Sequence, residues 1–194
     1  MQIVTEEKEV FNYSELSDSA KATAGEEMIF DEWYKYTKDE FHSILETLGF
    51  YNVETYFTGF SSQGDGACFT ASVSYEKGCL STIKKEYPTW TELHSIVSEY
   101  IKVQKKAFYG IGGTVNHSGH YYHELSMDYY LENKHGDWLN EDLTEQFKEV
   151  CRDLAKLYYK RLENDYEYQV GEGAKDTAEA NEYTFTEDGK LYHI

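Results

Sequence analysis

Residues 67–75 read ACFTASVSY, and their alternation constrains the fold more tightly than any other stretch of the chain. Ala67, Phe69, Ala71, Val73 and Tyr75 fall on one face of a strand, while Cys68, Thr70, Ser72 and Ser74 fall on the other. A strand with one apolar face needs neighbouring strands and a layer packed against that face. A second aromatic-rich run over 52–60 supplies the partner. Between the two runs, Ser61-Ser62-Gln63-Gly64-Asp65-Gly66 has the glycines that turns with positive φ require. A hairpin over 52–75 is therefore expected.

Other elements follow from periodicity. A short strand is expected over 2–11, then a helix over 18–24, with N-cap chemistry supplied by Tyr13-Ser14-Glu15-Leu16-Ser17. From Glu26, the residues Ile29, Trp33, Phe41, Ile44, Leu45 and Leu48 follow helical spacing with one slip near Thr37, and Gly49 stands where a cap would end that helix. Thr89 and Glu92 have capping-box spacing before the stripe Leu93, Ile96, Val97, Tyr100 and Ile101. A second hairpin is expected over 108–115 and 121–132, turning at 116–119. A long helix over 140–163 buries Leu143, Phe147, Val150, Cys151, Leu154, Leu157 and Tyr158. A break at Gly171 and Gly173, a short helix near Thr177 and a hairpin over about 182–193 with an Asp-Gly turn complete the chain. This order predicts an α+β fold: one domain over 1–194, with an antiparallel sheet of about four strands in two hairpins and helices on one face.

Charge narrows the partners. The 194 residues carry 36 acids and 18 bases, a net charge of −18, and residues 1–50 alone hold 12 acids against 4 bases. A field of that sign repels nucleic acid and anionic lipid and attracts basic protein surfaces. Only two arginines are present, Arg152 and Arg161, and no clustered basic helix. Direct nucleic-acid binding and membrane association are therefore not expected. The three cysteines, Cys68, Cys79 and Cys151, lack metal-ligand spacing and read as buried free thiols of a reducing cytosol. The first ten residues lack the pattern of a signal peptide, and no apolar run is long enough to span a bilayer.

Two groups of candidate site residues emerge. The first is an acidic face at the helical N-terminal quarter (about 12–49), where Glu26, Glu27, Asp31, Glu32, Asp39 and Glu40 could array carboxylates as a duplex arrays phosphates. The second joins Phe60, Gln63 and Asp65 of the first turn to His117, His120, Tyr121, Tyr122 and His123 of the second. An Asp/His pair there could serve acid–base chemistry, and the aromatic rings could stack on a base. The 61–66 loop lacks a Lys or Arg for phosphate, and strand geometry would send His120 and His123 to opposite faces. Turn chemistry is the plainer reading of Gly64-Asp65-Gly66, and no catalytic residue, metal ligand or cofactor is assigned.

Three stretches carry a resemblance: GFSSQGDGACF at 59–69, HSGHYYH at 117–123, and NEYTFTEDG at 181–189. In this order they resemble a group of uncharacterised bacteriophage and prophage proteins with a GFxSQGDGAxF motif, some loosely labelled antitoxins of a toxin–antitoxin stability system. The resemblance implies phage origin and a bacterial cytoplasmic setting, and no catalytic residues. Together with the charge, it leads to the expectation of an acidic inhibitor that binds a host defence or nucleic-acid-handling protein stoichiometrically. The alternatives are a nucleotide or small-molecule-binding protein, or metal-dependent enzyme, built on Asp65 and the 117–123 segment, and an antitoxin that neutralises a basic toxin.

Overall fold

The computed structural model describes residues 7–192. Along them run β1 (Phe11–Asn12), α1 (Asp18–Met28), α2 (Lys35–Leu48), β2 (Phe50–Phe57), β3 (Ala67–Ser74), α3 (Cys79–Glu86), α4 (Thr91–Lys106), β4 (Gly112–His117), β5 (Met127–Glu132), α5 (Glu141–Val170), α6 (Glu172–Ala180) and β6 (Thr184–Phe185). The fold is α+β. Strands β2-β3-β4-β5 form one antiparallel sheet in that order, and β1 pairs with β6 in a second, two-stranded sheet.

The residues cluster into two compact units. One is formed by Tyr36–Leu162, the other by 7–35 with 163–192. In the first, the alternation of β3 does what its sequence requires: Ala67, Phe69, Ala71 and Val73 are all buried. The layer covering that face is aromatic. Phe50 lies 5.8 Å from Phe69, 5.8 Å from Tyr100 of α4 and 6.1 Å from Phe147 of α5. Phe41 of α2 stacks on Tyr158 at 4.4 Å and meets Phe69 edge-on at 6.0 Å. The buried Tyr100 hydroxyl donates to the Leu48 carbonyl at 2.9 Å, which ties α4 to the end of α2. The second unit closes the two ends of the described chain on each other. Its core is Tyr13, Leu16, Ala20, Ala24, Ala174, Ala178 and Phe185. Small side chains let α1 come close to its neighbours: a Cβ on Gly25 would stand 2.0 Å from the Val170 carbonyl oxygen.

Several boundaries differ from expectation, each for a local reason. Residues 2–6 of the expected strand over 2–11, and 193 of the last hairpin, lie outside the described residues; from 7 to 10 there is no strand, and β1 is only Phe11–Asn12. The break between the first two helices falls later than expected, because the 18–24 helix continues to Met28 and the helix expected from Glu26 begins only at Lys35. α1 keeps Ser17 as its cap, accepting from the Ala20 N–H at 3.2 Å, and ends at Met28; α2 starts afresh at Lys35. The Thr89/Glu92 capping box does not form, because α4 starts one residue later and Trp90 occupies its N-cap position without a side-chain bond. Helix α3 was not anticipated. β2 begins two residues early and carries an irregularity between Tyr51 and Glu54, where Asn52 takes φ +54°. Asn tolerates that conformation better than most residues. Helix α5 runs seven residues beyond its expected end.

The aromatic layer gives a direct test. Replacing Phe147 by Ala should cost about 3–5 kcal/mol in urea unfolding, by transfer and cavity effects. Tyr36→Ala, on the exposed side of α2, should change stability by no more than about 0.5 kcal/mol.

Candidate functional site

The Gly64-Asp65-Gly66 loop is built by its own hydrogen bonds. Asp65 Oδ2 accepts the Ser62 N–H at 2.6 Å and the Ser61 N–H at 3.0 Å. The Thr58 N–H donates to the Gly66 carbonyl at 3.0 Å, and the Gly66 N–H donates to Thr58 Oγ1 at 3.1 Å. Gly64 takes φ +100° at the tip, beside the exposed Gln63. The Ser62 amide, helped by that of Ser61, holds the Asp65 carboxyl below the usual carboxylate range. Phe60 is held between Phe57 at 6.2 Å and Tyr159 at 5.4 Å, so its ring serves packing.

The second segment is where strand reasoning fails. β4 ends at His117 and β5 begins at Met127, so His120, Tyr121, Tyr122 and His123 lie in a loop, not on a strand. Gly119 takes φ +98°, and a turn of 3-10 helix covers Glu124–Ser126. The Ser126 hydroxyl donates to the His123 carbonyl at 2.7 Å and the Leu125 N–H donates to His123 Nδ1 at 3.2 Å. Such local side-chain bonds offer the backbone an alternative to the strand ladder. His120 and His123 therefore do not occupy opposite faces of a strand, as expected, because neither lies on one.

The two segments do meet, though not through the residues expected. A Cβ on Gly66 would stand 3.0 Å from His123 Cδ2 and 3.2 Å from the Tyr122 carbonyl oxygen, so the second glycine of the turn is what admits the second loop. Next to this contact, Tyr122 stacks on Tyr56 at 5.1 Å, and His117 lies 5.1 Å from Tyr122. His117 Nε2 donates to the Tyr121 carbonyl at 3.0 Å. His120 and Tyr121 are exposed, and among the described residues no hydrogen bond or ion pair joins Asp65 to His120. Beneath the loop, burial pushes the Cys68 thiol up to about 11 against the opposing effects of the Ser126 hydroxyl and the His123 amide. A thiol so placed is a poor nucleophile. Among the described residues no group of three or more His, Cys, Asp or Glu side chains is placed to hold a metal ion.

The six acidic candidates divide between the units. Glu26, Glu27, Asp31 and Glu32 belong to the 7–35/163–192 unit, Asp39 and Glu40 to the other. Glu27 Oε2 accepts the Leu191 N–H at 2.9 Å, and Glu40 lies 3.3 Å from Arg161, so both hold structure as well as charge. Glu32 pairs with Lys35 at 3.3 Å on the surface. The larger finding is where charge accumulates. The 7–35/163–192 unit holds 17 acids and 5 bases, net −12, whereas Tyr36–Leu162 holds 18 and 13, net −5. The sequence reading located only the N-terminal half of this acidic unit.

Two further features escaped the sequence reading. A groove of about 330 Å³ is lined by Glu99 of α4 and by Asp142, Glu145, Glu149 and Asp153 of α5, with Arg152 bridging Glu145 and Glu149. The four-residue spacing of Glu141, Glu145, Glu149 and Asp153 was the available signal. The other is a cleft of about 540 Å³ lined by Ala107, Phe108, Lys134, His135, Trp138 and Leu139, among others. Phe108, which lines it, and the next residue Tyr109 take φ +53° and +59° in succession. Left-handed backbone at two bulky residues costs of order 1–3 kcal/mol each. Nothing in the composition of KKAFYG announces it.

An α+β sheet protein with one strongly acidic unit is the class that fold and site define. A family model described as Domain of unknown function (DUF8835) matches residues 33–172, and the chain belongs to that family. No curated protein and no solved structure matches the chain.

Asp65 provides the test of the loop. Its folded pKa is depressed, so its stabilising contribution is present above the unfolded value and is lost as pH falls through the folded one. In an NMR titration the Asp65 carboxyl carbon should titrate below the usual Asp range, with the Ser62 amide shift following it. In Asp65→Asn the Ser62 response should vanish.

Proposed function

We propose that this chain is a phage-encoded acidic inhibitor. It binds a host defence or nucleic-acid-handling protein one to one, through that protein's basic surface. The observation that carries this reading is the net −12 on 59 residues closed into one unit by β1–β6 pairing and a small alanine-rich core. Carboxylates fixed on such a scaffold face a basic partner without first being ordered. Encounter is steered by the field and weakened by salt. Mimicry of a nucleic-acid backbone fits this chemistry, and a basic toxin would be bound by the same physical event. Pull-down from bacterial lysate should retain a partner at about 0.05 M salt and lose most of it at about 0.5 M, where the screening length is only a few ångströms. A combined Glu26→Gln, Asp31→Asn, Glu32→Gln and Glu179→Gln variant should weaken that capture at least tenfold. Equal retention by the variant, or no partner at low salt, sinks the proposal.

A second reading places a nucleotide, small-molecule or metal-dependent site at the 58–66 and 117–126 loops. The close approach of Gly66 to His123 and the Tyr56–Tyr122–His117 ring cluster favour it. Unchanged metal content and ligand binding in both Asp65→Ala and His120→Ala would end this reading.

A further inference from the structure

We infer that the cleft beside Phe108 and Trp138 is a binding site for a nucleoside monophosphate, with the base on the aromatic rim and the phosphate toward Lys134. Its volume of about 540 Å³ suits a ligand of that size. Phe108 is 80% and Trp138 75% exposed, an unusual state for two large rings on one cleft. Flat π-faces of this kind stack on any base. Lys134 Nζ stands 5.7 Å from the Phe108 ring centroid, and Lys134 forms no ion pair with a carboxylate among the described residues. The lining also includes His135, Asn133 and Asn140 and not one carboxylate. Asp137 stands just beside the lining, its carboxylate accepting from the Asn133 amide at 3.4 Å, so the carboxylate-free surface is confined to the cleft itself.

Both walls are fixed in place. On one side, Phe108 and Tyr109 are locked in left-handed backbone by N–H bonds to the Lys105 carbonyl at 3.0 Å and the Gln104 carbonyl at 2.6 Å. The buried Gln104 side chain holds the exit of the same loop, its Oε1 accepting the Ile111 N–H at 3.3 Å. On the other side, Asn133 Oδ1 accepts the N–H groups of His135 at 2.8 Å and Asp137 at 3.3 Å, and Trp138 bridges back to Glu132. The walls touch where a Cβ on Gly110 would stand 2.8 Å from Lys134 Cβ. A rigid aromatic rim with an adjacent ammonium is preorganised for a flat anion. A single phosphate suits it better than a polynucleotide, which the net −18 opposes. The site uses none of the carboxylates of the proposed inhibitor surface, so either idea can fail alone.

The test is titration of the full chain with AMP, GMP, CMP and UMP, and with the corresponding nucleosides, following the Trp138 indole N–H by NMR. At least one monophosphate should shift that signal saturably and bind more tightly than its nucleoside. In titration calorimetry, which needs no indole signal, Trp138→Ala should weaken binding at least about fivefold, given the worth of one stacked base. Lys134→Gln should bring the monophosphate down to the affinity of its nucleoside. Both side chains are exposed, and unchanged melting temperatures would confirm that the variants fold. If none of the four shifts the Trp138 signal saturably, or if Lys134→Gln preserves the preference for the phosphate, the assignment is wrong.

Discussion

Phe50 is the side chain on which the Tyr36–Leu162 unit depends. It is fully buried at the start of β2, and its ring meets Phe69 of β3, Tyr100 of α4 and Phe147 of α5. One ring thus joins the sheet to two helices. Aromatic side chains suit that position because each buries a large apolar area and fits its neighbours edge-on or tilted. Fixing β2 also fixes the register in which Tyr56 lies opposite Cys68 and Phe57 opposite Ala67. That register points Thr55 and Phe57 with Phe69 toward the helices, and Tyr56 with Cys68 toward the 117–126 loop.

The loops follow from this framework. The turn after β2 is self-sufficient, since Asp65 answers two backbone amides and the glycines take the tight positions. Gly66 gives the His123 loop room to lie against β3, and Tyr122 stacks on Tyr56 in consequence. Asp65 bonds to Ser61 and Ser62, and among the described residues no hydrogen bond or ion pair joins it to His120. At the opposite turn, after α4, the chain keeps Phe108 and Tyr109 where glycine or asparagine would be relaxed. The backbone strain there is held by Gln104, a polar side chain buried only because its amide is satisfied by Ile111 and Tyr100.

Charge is distributed by topology rather than by sequence blocks. Residues 163–192, net −7, are more acidic than residues 7–35, net −5, and β1–β6 pairing places both in one unit. Much of that unit, 7–32 and 173–192, lies outside the residues shared with the family model. The family match therefore covers the sheet and the cleft more fully than the carboxylates on which the proposed inhibition rests.

Elements whose evidence is a repeating pattern were legible directly. The alternation of 67–75, the helical spacing of Phe41, Ile44, Leu45 and Leu48, and the stripe of α5 each appear where expected. Ser17 and Gly49 punctuate helices as their chemistry predicts. Alternation misled at 121–126, because period two persists in a sequence whose local hydrogen bonds favour a 3-10 turn. The sequence by itself determined the α+β class, the strand faces, the buried thiols and the excess of acid, because periodicity and composition act locally. Only the tertiary structure decided which acids share a unit, that Gly66 rather than Asp65 meets the histidine loop, and that Phe108, Lys134 and Trp138 line one cleft. Those are contacts between residues far apart in the chain, and their partners are chosen by packing, which no local pattern encodes.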